Sequence, residues 1–252
     1  MVPATATALK NDGHQGRLTS RREISPRLVI IRAAADHPFA FDPGQYATLG
    51  LPGADGKLVQ RPMSIASSAD DVTEYEFLIR LVPGGDFTPL LWQCHIGDPV
   101  HITGPKGLFL LEDDGRTCVF VASGTGLAPF MSMIRTMASR GQMRNIVLLH
   151  GVSRDVDLAW RDELDAMALN SPWLRYVPTV SRSQESPGWS GATGRVESIF
   201  ASQLDRLSIG SADATIYACG NPHMVEAVAR IATDRGFRPE HIRRELYWRD
   251  AG

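Results

Sequence analysis

The chain has 252 residues, 43% of them hydrophobic and 21% charged, with a formal net charge of -2. That length supports one large domain or two modest ones, each able to bury a core. A near-neutral balance offers no overall attraction to nucleic acid or to a membrane surface, and no apolar run approaches the roughly 20 residues that span a bilayer. Cys94, Cys118 and Cys219 are far apart and odd in number. They fit reduced thiols and leave no cysteine-ligated iron–sulfur cluster within this chain, which would take about four thiolates. No paired-histidine or C-x-x-C spacing argues for a metal. The first residues, M-V-P-A-T-A-T-A-L-K, lack a basic start followed by an apolar block. The expectation is a cytoplasmic, monomeric enzyme with a frayed arm over residues 1–16.

Residues 17–112 read as short strands between turns. Arg27–Ala34, Tyr46–Leu51, Arg61–Ala66, Tyr75–Val82 and Pro99–Thr103 are rich in β-branched and aromatic residues. Gly, Pro and Asp clusters bound them, and one helical insert is expected over Phe87–Gln93. This pattern predicts an antiparallel β-barrel of the Greek-key type. Residues 113–252 alternate instead. Strand-like runs at Cys118–Ala122, Ile146–His150, Leu174–Val180, Thr215–Cys219 and Arg244–Trp248 are separated by amphipathic segments. Those segments cover Leu127–Arg140, Leu158–Leu169, Arg195–Leu204 and Pro222–Arg235. Alternation of this kind predicts an α/β domain with a parallel sheet.

Four motifs carry chemistry. Arg61-Pro62-Met63-Ser64 places a cation and a hydroxyl on a barrel strand, although a strand with one exposed arginine reads the same way. Pro83-Gly84-Gly85-Asp86-Phe87-Thr88 is a turn entering a helix, whose amides and Thr88 would suit a phosphate or simply start the helix. Ser123-Gly124-Thr125-Gly126-Leu127-Ala128-Pro129 follows a strand and opens a helix. Its two glycines let N–H groups face an anion, but many strand-to-helix turns carry glycines for steric reasons alone. Cys219-Gly220-Asn221-Pro222 is again strand into helix, with Asn221 as N-cap and Pro222 at the first helical position. Cys219 would stand at a strand's carboxyl end, where open α/β sheets bind ligands.

Together the motifs resemble those of the ferredoxin–NADP⁺ reductase family, from about residue 17 to Trp248, and R-E-L-Y-W resembles the bacterial members' aromatic ending. The resemblance implies FAD on the barrel and NADP(H) on the α/β domain. Arg61 and Pro62 would lie along the flavin pyrophosphate, and Ser64 beside its reactive nitrogen. Met63, Leu78, Ile79 and Arg80 would line the same site. Gly85, Asp86, Phe87 and Thr88 would hold phosphate and ribose. Thr125 would stand between flavin and nicotinamide, Tyr247 would stack on the flavin, and Trp248 on the flavin or its adenine. Gly124, Gly126, Gly220, Asn221, Pro222 and Met224 would contact the nicotinamide nucleotide, with Cys219 near its hydride-donating carbon. Ser64, Cys219, Glu245 and Tyr247 would be the catalytic set, although Glu245 reads equally as a solvated strand-end carboxylate. Met63 departs from the family, which has tyrosine there.

NADP rather than NAD is argued by Ser181, Arg182 and Arg195, with Arg154 as a further candidate, all suited to a 2′-phosphate; surface arginines read the same way. No carboxylate ends that strand to take a 2′-hydroxyl. The implied partner is a ferredoxin or flavodoxin, met by Arg21, Arg22, Arg243, Arg244 and Arg249. The rival reading is the reductase component of an oxygenase, which Trp189-Ser190-Gly191-Ala192-Thr193-Gly194 resembles. A stand-alone flavin reductase or a non-catalytic redox sensor would also keep the nucleotide sites.

Overall fold

The structure, a computed structural model, describes residues 14–247; Trp248 and Arg249 lie outside them. Its first half is one six-stranded antiparallel sheet. The strands are β1 (His14–Ser25), β2 (Leu28–Ala35), β3 (Tyr46–Pro52), β4 (Leu58–Ser64), β5 (Tyr75–Arg80) and β6 (Pro99–Lys106), ordered β4-β3-β6-β1-β2-β5. Sequence neighbours β2 and β3 lie apart, as do β5 and β6, which is the expected Greek-key arrangement. The Ala66 amide donates to the Glu76 carbonyl at 2.8 Å, linking the chain just past β4 to β5 at the opposite edge. Helix α1 (Thr88–Gln93) adds Leu91 to the barrel core, which it forms with Leu18, Val29, Leu49, Phe77 and Ile102.

Strand β1 was absent from the sequence reading. Its run R-L-T-S-R-R-E-I-S is charged, and of it only Leu18 is buried. Pairing on both sides, with β2 and with β6, makes it a strand without an apolar stripe.

The second half holds β7 (Thr117–Ser123), α2 (Ala128–Ser139), β8 (Ile146–Val152), α3 (Arg161–Asn170), β9 (Leu174–Val180) and β10 (Ala192–Thr193). They are followed by α4 (Val196–Arg206), β11 (Ala214–Gly220), α5 (Pro222–Asp234) and β12 (Ile242–Leu246). The strands are all parallel, ordered β10-β9-β8-β7-β11-β12. Strands β8 and β11 are buried along their whole length, which explains their near-continuous apolar runs. From β7 the chain winds outward in one direction through β10, then returns beside β7 and continues through β12. The direction therefore switches between β7 and β11, the place where open α/β sheets take ligands. Strand β12 begins two residues earlier than expected, because the turn Pro239–His241 ends there.

The two halves share an apolar seam in which Leu28, Ile30 and Leu78 of the barrel pack with Phe120, Phe130 and Met131. Arg135 of α2 crosses it. Its Nη1 donates to Glu76 Oε1 at 2.7 Å and to the Ala66 carbonyl at 2.8 Å, while Nε and Nη2 each meet a Glu163 oxygen at 2.7 Å. The guanidinium also lies 5.1 Å from the Trp160 ring centroid. Burial alone would raise the Glu76 carboxyl, but Arg135 and Arg32 outweigh it and hold it below the usual carboxylate value. Arg135→Met would leave the buried Glu76 carboxylate with Arg32 as its remaining cation, with an expected loss of up to about 3 kcal/mol in urea unfolding at neutral pH. The loss should shrink toward pH 4, where Glu76 in the variant takes up a proton, and Glu76→Gln in the same background should recover part of it. Equal losses at both pH values would refute the stranded-charge account.

Candidate active site

A cleft of about 670 Å³ opens where the barrel meets the end of the chain, within the ordinary range for small-molecule sites. Strand β4 contributes Arg61, Pro62, Met63 and Ser64, and the end of β5 contributes Leu78, Ile79 and Arg80. Gly85, Asp86, Phe87 and Thr88 form one wall, and Thr125, Glu245 and Tyr247 close the other side. All the flavin-side candidates within the described residues therefore line one cavity. Three of its residues escaped sequence reasoning: Tyr46, Val82 and Leu246. Tyr46 pairs with Ser64 across the ladder, and Gly107 gives its ring room, since a Cβ there would meet it at 3.0 Å.

Thr88 Oγ1 accepts from the Val82 amide at 2.9 Å and donates to the Val82 carbonyl at 3.2 Å, so its hydroxyl braces the turn. Arg61 reaches Asp86 at 3.4 Å. Arg61 and Arg80 both line a cleft that also carries Met63, Leu78 and Tyr247, and the Arg80 guanidinium lies beside Gly124 of the glycine loop. That donor set fits a molecule with a flat apolar ring and an anionic tail.

Tyr247 is the junction. Its hydroxyl is 2.9 Å from Ser64 Oγ and donates to the Thr125 carbonyl at 3.3 Å, and its amide donates to the Gly220 carbonyl at 3.1 Å. One side chain so touches the barrel strand and the glycine loop, while its backbone holds the end of β11. Beneath it lies Cys219, paired in register with Glu245, Sγ to Oε2 at 3.7 Å. Burial pushes both the Cys219 thiol and the Tyr247 phenol well above their ordinary values, so both stay protonated. Burial also pushes the Glu245 carboxyl up to about 7. Glu245 is thus a partly buried carboxyl lining the cleft rather than a fully solvated one.

The glycine loop forms a 3-10 turn, Gly124–Leu127, ahead of α2. Gly124 has φ of +54°, which favours glycine. Gly126 is needed for another reason, because a Cβ there would sit 2.2 Å from the Cys219 carbonyl oxygen. The Asn221 amide donates to Ser123 Oγ at 2.9 Å, so the two loops are bonded together at the switch point. Asn221 also caps α5, its side chain accepting from the His223 amide at 2.9 Å, with Pro222 at the first helical position. Met224, on α5, is 3% exposed and packs in the apolar core beneath that helix. His150 was missed. It is fully buried at the end of β8, Nε2 3.3 Å from the Gly124 carbonyl and Nδ1 3.4 Å from the Tyr176 hydroxyl. Burial lowers it to about 4, so it is neutral and props the loop by a hydrogen bond.

Ser181 and Arg182 follow β9, Arg154 follows β8 and Arg195 follows β10, all on the carboxyl edge of the sheet. Of the arginines expected to meet a partner, Arg21 donates to the Leu91 carbonyl at 3.2 Å and lies over Trp92, and Arg243 pairs with Glu112 at 2.5 Å. Arg22 and Arg244 are exposed. Among the described residues no His, Cys, Asp and Glu group could hold a metal ion, and no helix is long and apolar enough to cross a membrane.

A barrel cleft with two cations, joined to a parallel sheet at its switch point, defines a two-domain flavin- and nicotinamide-nucleotide-dependent oxidoreductase. Comparison with known proteins agrees: residues 15–110 match the oxidoreductase FAD-binding domain and residues 120–230 the oxidoreductase NAD-binding domain. The chain belongs to the ferredoxin–NADP reductase family. It is 33% identical over 240 residues to ferredoxin–NADP reductase B of Sorangium cellulosum, covering 92% of this chain and 97% of that protein. It is 32% identical over 251 residues to the toluate 1,2-dioxygenase electron transfer component of Pseudomonas putida, covering 98% of this chain and 71% of that one. The crystal structure of an Amycolatopsis cytochrome P450 reductase superposes with a TM-score of 0.83 at 31% identity, over 93% of this chain and 69% of that one. Against several oxygenase reductase components the chain spans only 58–66% of the relative's length.

The raised Glu245 has a sign that can be checked. Its folded value of about 7 exceeds the ordinary 4.5, so the native state binds this proton more tightly than the unfolded chain. Stability then declines as pH rises from about 4.5 to 7. Glu245→Gln should be more stable than the parent at pH 8, by up to about 3 kcal/mol, with the gap closing at pH 4.5. Chemical unfolding at the two pH values checks it, and a variant less stable at pH 8 would contradict the burial argument.

Proposed function

We propose that this protein is an NADPH-dependent reductase that carries FAD in the barrel cleft and delivers electrons singly to a ferredoxin or flavodoxin. The observation that carries the reading is the Tyr247 junction, where a barrel hydroxyl and the glycine-loop carbonyl share one phenol. Arg61 and Arg80 would hold the pyrophosphate, and Met63 and Tyr46 would border the ring. FAD, when bound, supplies the conversion between a two-electron hydride and single electrons. The residues do the rest. Tyr247 covers Cys219, so the ring must swing aside before a nicotinamide reaches that thiol. Ser64 Oγ then loses a partner and becomes available as a hydrogen-bond donor inside the cleft. Glu245, half protonated near pH 7, can hold or release a proton 3.7 Å from Cys219 Sγ. Ser181, Arg182, Arg154 and Arg195 would take the 2′-phosphate.

A second reading has its own support. Relatives in this family include electron transfer components of dioxygenases and monooxygenases. In that reading the same hydride chemistry serves an oxygenase instead. The two differ in the electron acceptor, not in the cleft.

The test is steady-state kinetics on the FAD-loaded protein with ferricyanide, with ferredoxin, and with an oxygenase component as acceptors. NADPH should outperform NADH, and Arg182→Gln should lower kcat/KM for NADPH roughly tenfold, the worth of one charge-assisted contact. Ferredoxin reduction should slow as salt rises, since exposed Arg22 and Arg244 would steer an acidic partner. A protein that binds no flavin would end the proposal, and reduction of an oxygenase component alone would select the second reading.

A further inference from the structure

One carboxylate is shared by two of the arginines at the nucleotide edge. Glu185 Oε2 accepts from Arg154 Nε at 2.6 Å and from Nη2 at 2.5 Å, and its Oε1 lies 3.6 Å from Arg182 Nη1. Arg154 comes from the loop after β8 and Arg182 from the end of β9, so the carboxylate bridges two strand ends. A carboxylate offers two anionic oxygens much as a phosphate does, and the guanidiniums are arranged around that shape.

The position of Glu185 is built rather than incidental. It ends a 3-10 turn, Ser183–Glu185, closed by its own amide donating to the Arg182 carbonyl at 2.9 Å. The next residue, Ser186, is 2% exposed, and its Oγ accepts from the Asp155 amide at 3.1 Å, directly beside Arg154. The Trp189 amide donates to the Ser186 carbonyl at 3.0 Å and continues the anchorage. The Arg154, Arg182 and Glu185 side chains remain 43%, 53% and 41% exposed. Ion pairs so open to water are weak enough for a better anion to displace.

We infer that Glu185 is a specificity-determining residue, an internal counterion that occupies the 2′-phosphate subsite and narrows the preference for NADPH over NADH. The inference rests on the reading of Arg154 and Arg182 as phosphate ligands. A 2′-phosphate must displace the Glu185 carboxylate and then sit near its negative charge. A nucleotide with a free 2′-hydroxyl meets no such conflict, because a hydroxyl donates to a carboxylate. The same side chain therefore weakens one nucleotide and accommodates the other.

Calorimetric titration of the full-length FAD-loaded protein with 2′,5′-ADP and with 5′-AMP tests this without turnover. In Glu185→Gln the Kd for 2′,5′-ADP should fall roughly 3- to 10-fold, the scale of two exposed ion pairs released together, and the Kd for 5′-AMP should hold or rise. If the parent prefers 2′,5′-ADP but the substitution leaves its affinity unchanged or weaker, the counterion role is overturned. If the parent shows no preference for 2′,5′-ADP over 5′-AMP, the phosphate reading of the arginines fails first, and the inference fails with it.

Discussion

The Arg135 guanidinium sits between two carboxylates and a backbone carbonyl at the seam of the barrel and the α/β domain, and the cleft depends on that contact. A charge in such a place is tolerated only when its partners desolvate with it, since an uncompensated buried ion costs several kcal/mol. Glu76 comes from β5, whose far end lines the cleft at Leu78, Ile79 and Arg80. Helix α2, which carries Arg135, begins where the glycine loop ends. The ion network therefore joins the strand that borders one half of the site to the helix that positions the other. The surrounding apolar contacts are non-directional and would permit the domains to slide. The bonds from Arg135 to Glu76 and the Ala66 carbonyl fix one register.

A second constraint acts at the switch point of the parallel sheet. Strands β7 and β11 run side by side, and both of their following loops must turn in the same small space. Gly126 has no room for a side chain against the Cys219 carbonyl, and Gly220, at φ of +127°, would drive a Cβ to 2.5 Å from Ser123 Oγ. These glycines are demanded by loop against loop. Packing alone thus accounts for these glycines, which is why the double glycine alone is weak testimony to function. His150 completes the arrangement from below. Its imidazole is kept neutral by burial, so its hydrogen bond holds the Gly124 carbonyl without adding a charge to the site.

Much of this was legible in the chain because the informative residues sit where short patterns are strong. Apolar runs between glycine turns marked the parallel strands, and the β-barrel residues R-P-M-S and P-G-G-D marked two walls of one cleft. What stayed hidden depends on partners distant in sequence. Strand β1 has almost no apolar alternation, and its pairing with β2 and β6 alone makes it a strand. Tyr46 looks like any β-strand tyrosine until the ladder places it opposite Ser64. The sequence does not show that the Thr88 hydroxyl, at the cleft wall, is taken up by the Val82 backbone, or that Met224 packs in the core under α5. Arg135, His150 and Glu185 belong to no motif at all. Each gains its meaning from residues tens of positions away.

The titratable groups of the cleft follow from its dryness. Burial raises Cys219, Tyr247 and Glu245 alike, in each case by penalising the anion. Near neutral pH the phenol at the cleft floor and the thiol beneath it are neutral, and the Glu245 carboxyl, at about 7, is about half ionised. That matters for hydride chemistry, because fixed anions there would oppose the approach of a negatively charged nucleotide. The positive charge is kept apart, with Arg61 and Arg80 at the cleft's rim and Arg154, Arg182 and Arg195 along the sheet edge. In the proposed reading an anionic tail would be drawn to the periphery, and the reacting ring would lie over the floor. Glu245 is the one member of that floor whose value lies near 7, so it alone can change its charge within the ordinary working range. A proton on Glu245 keeps the floor neutral, and its loss places a single negative charge beside Cys219, whose thiol donates to the carboxylate.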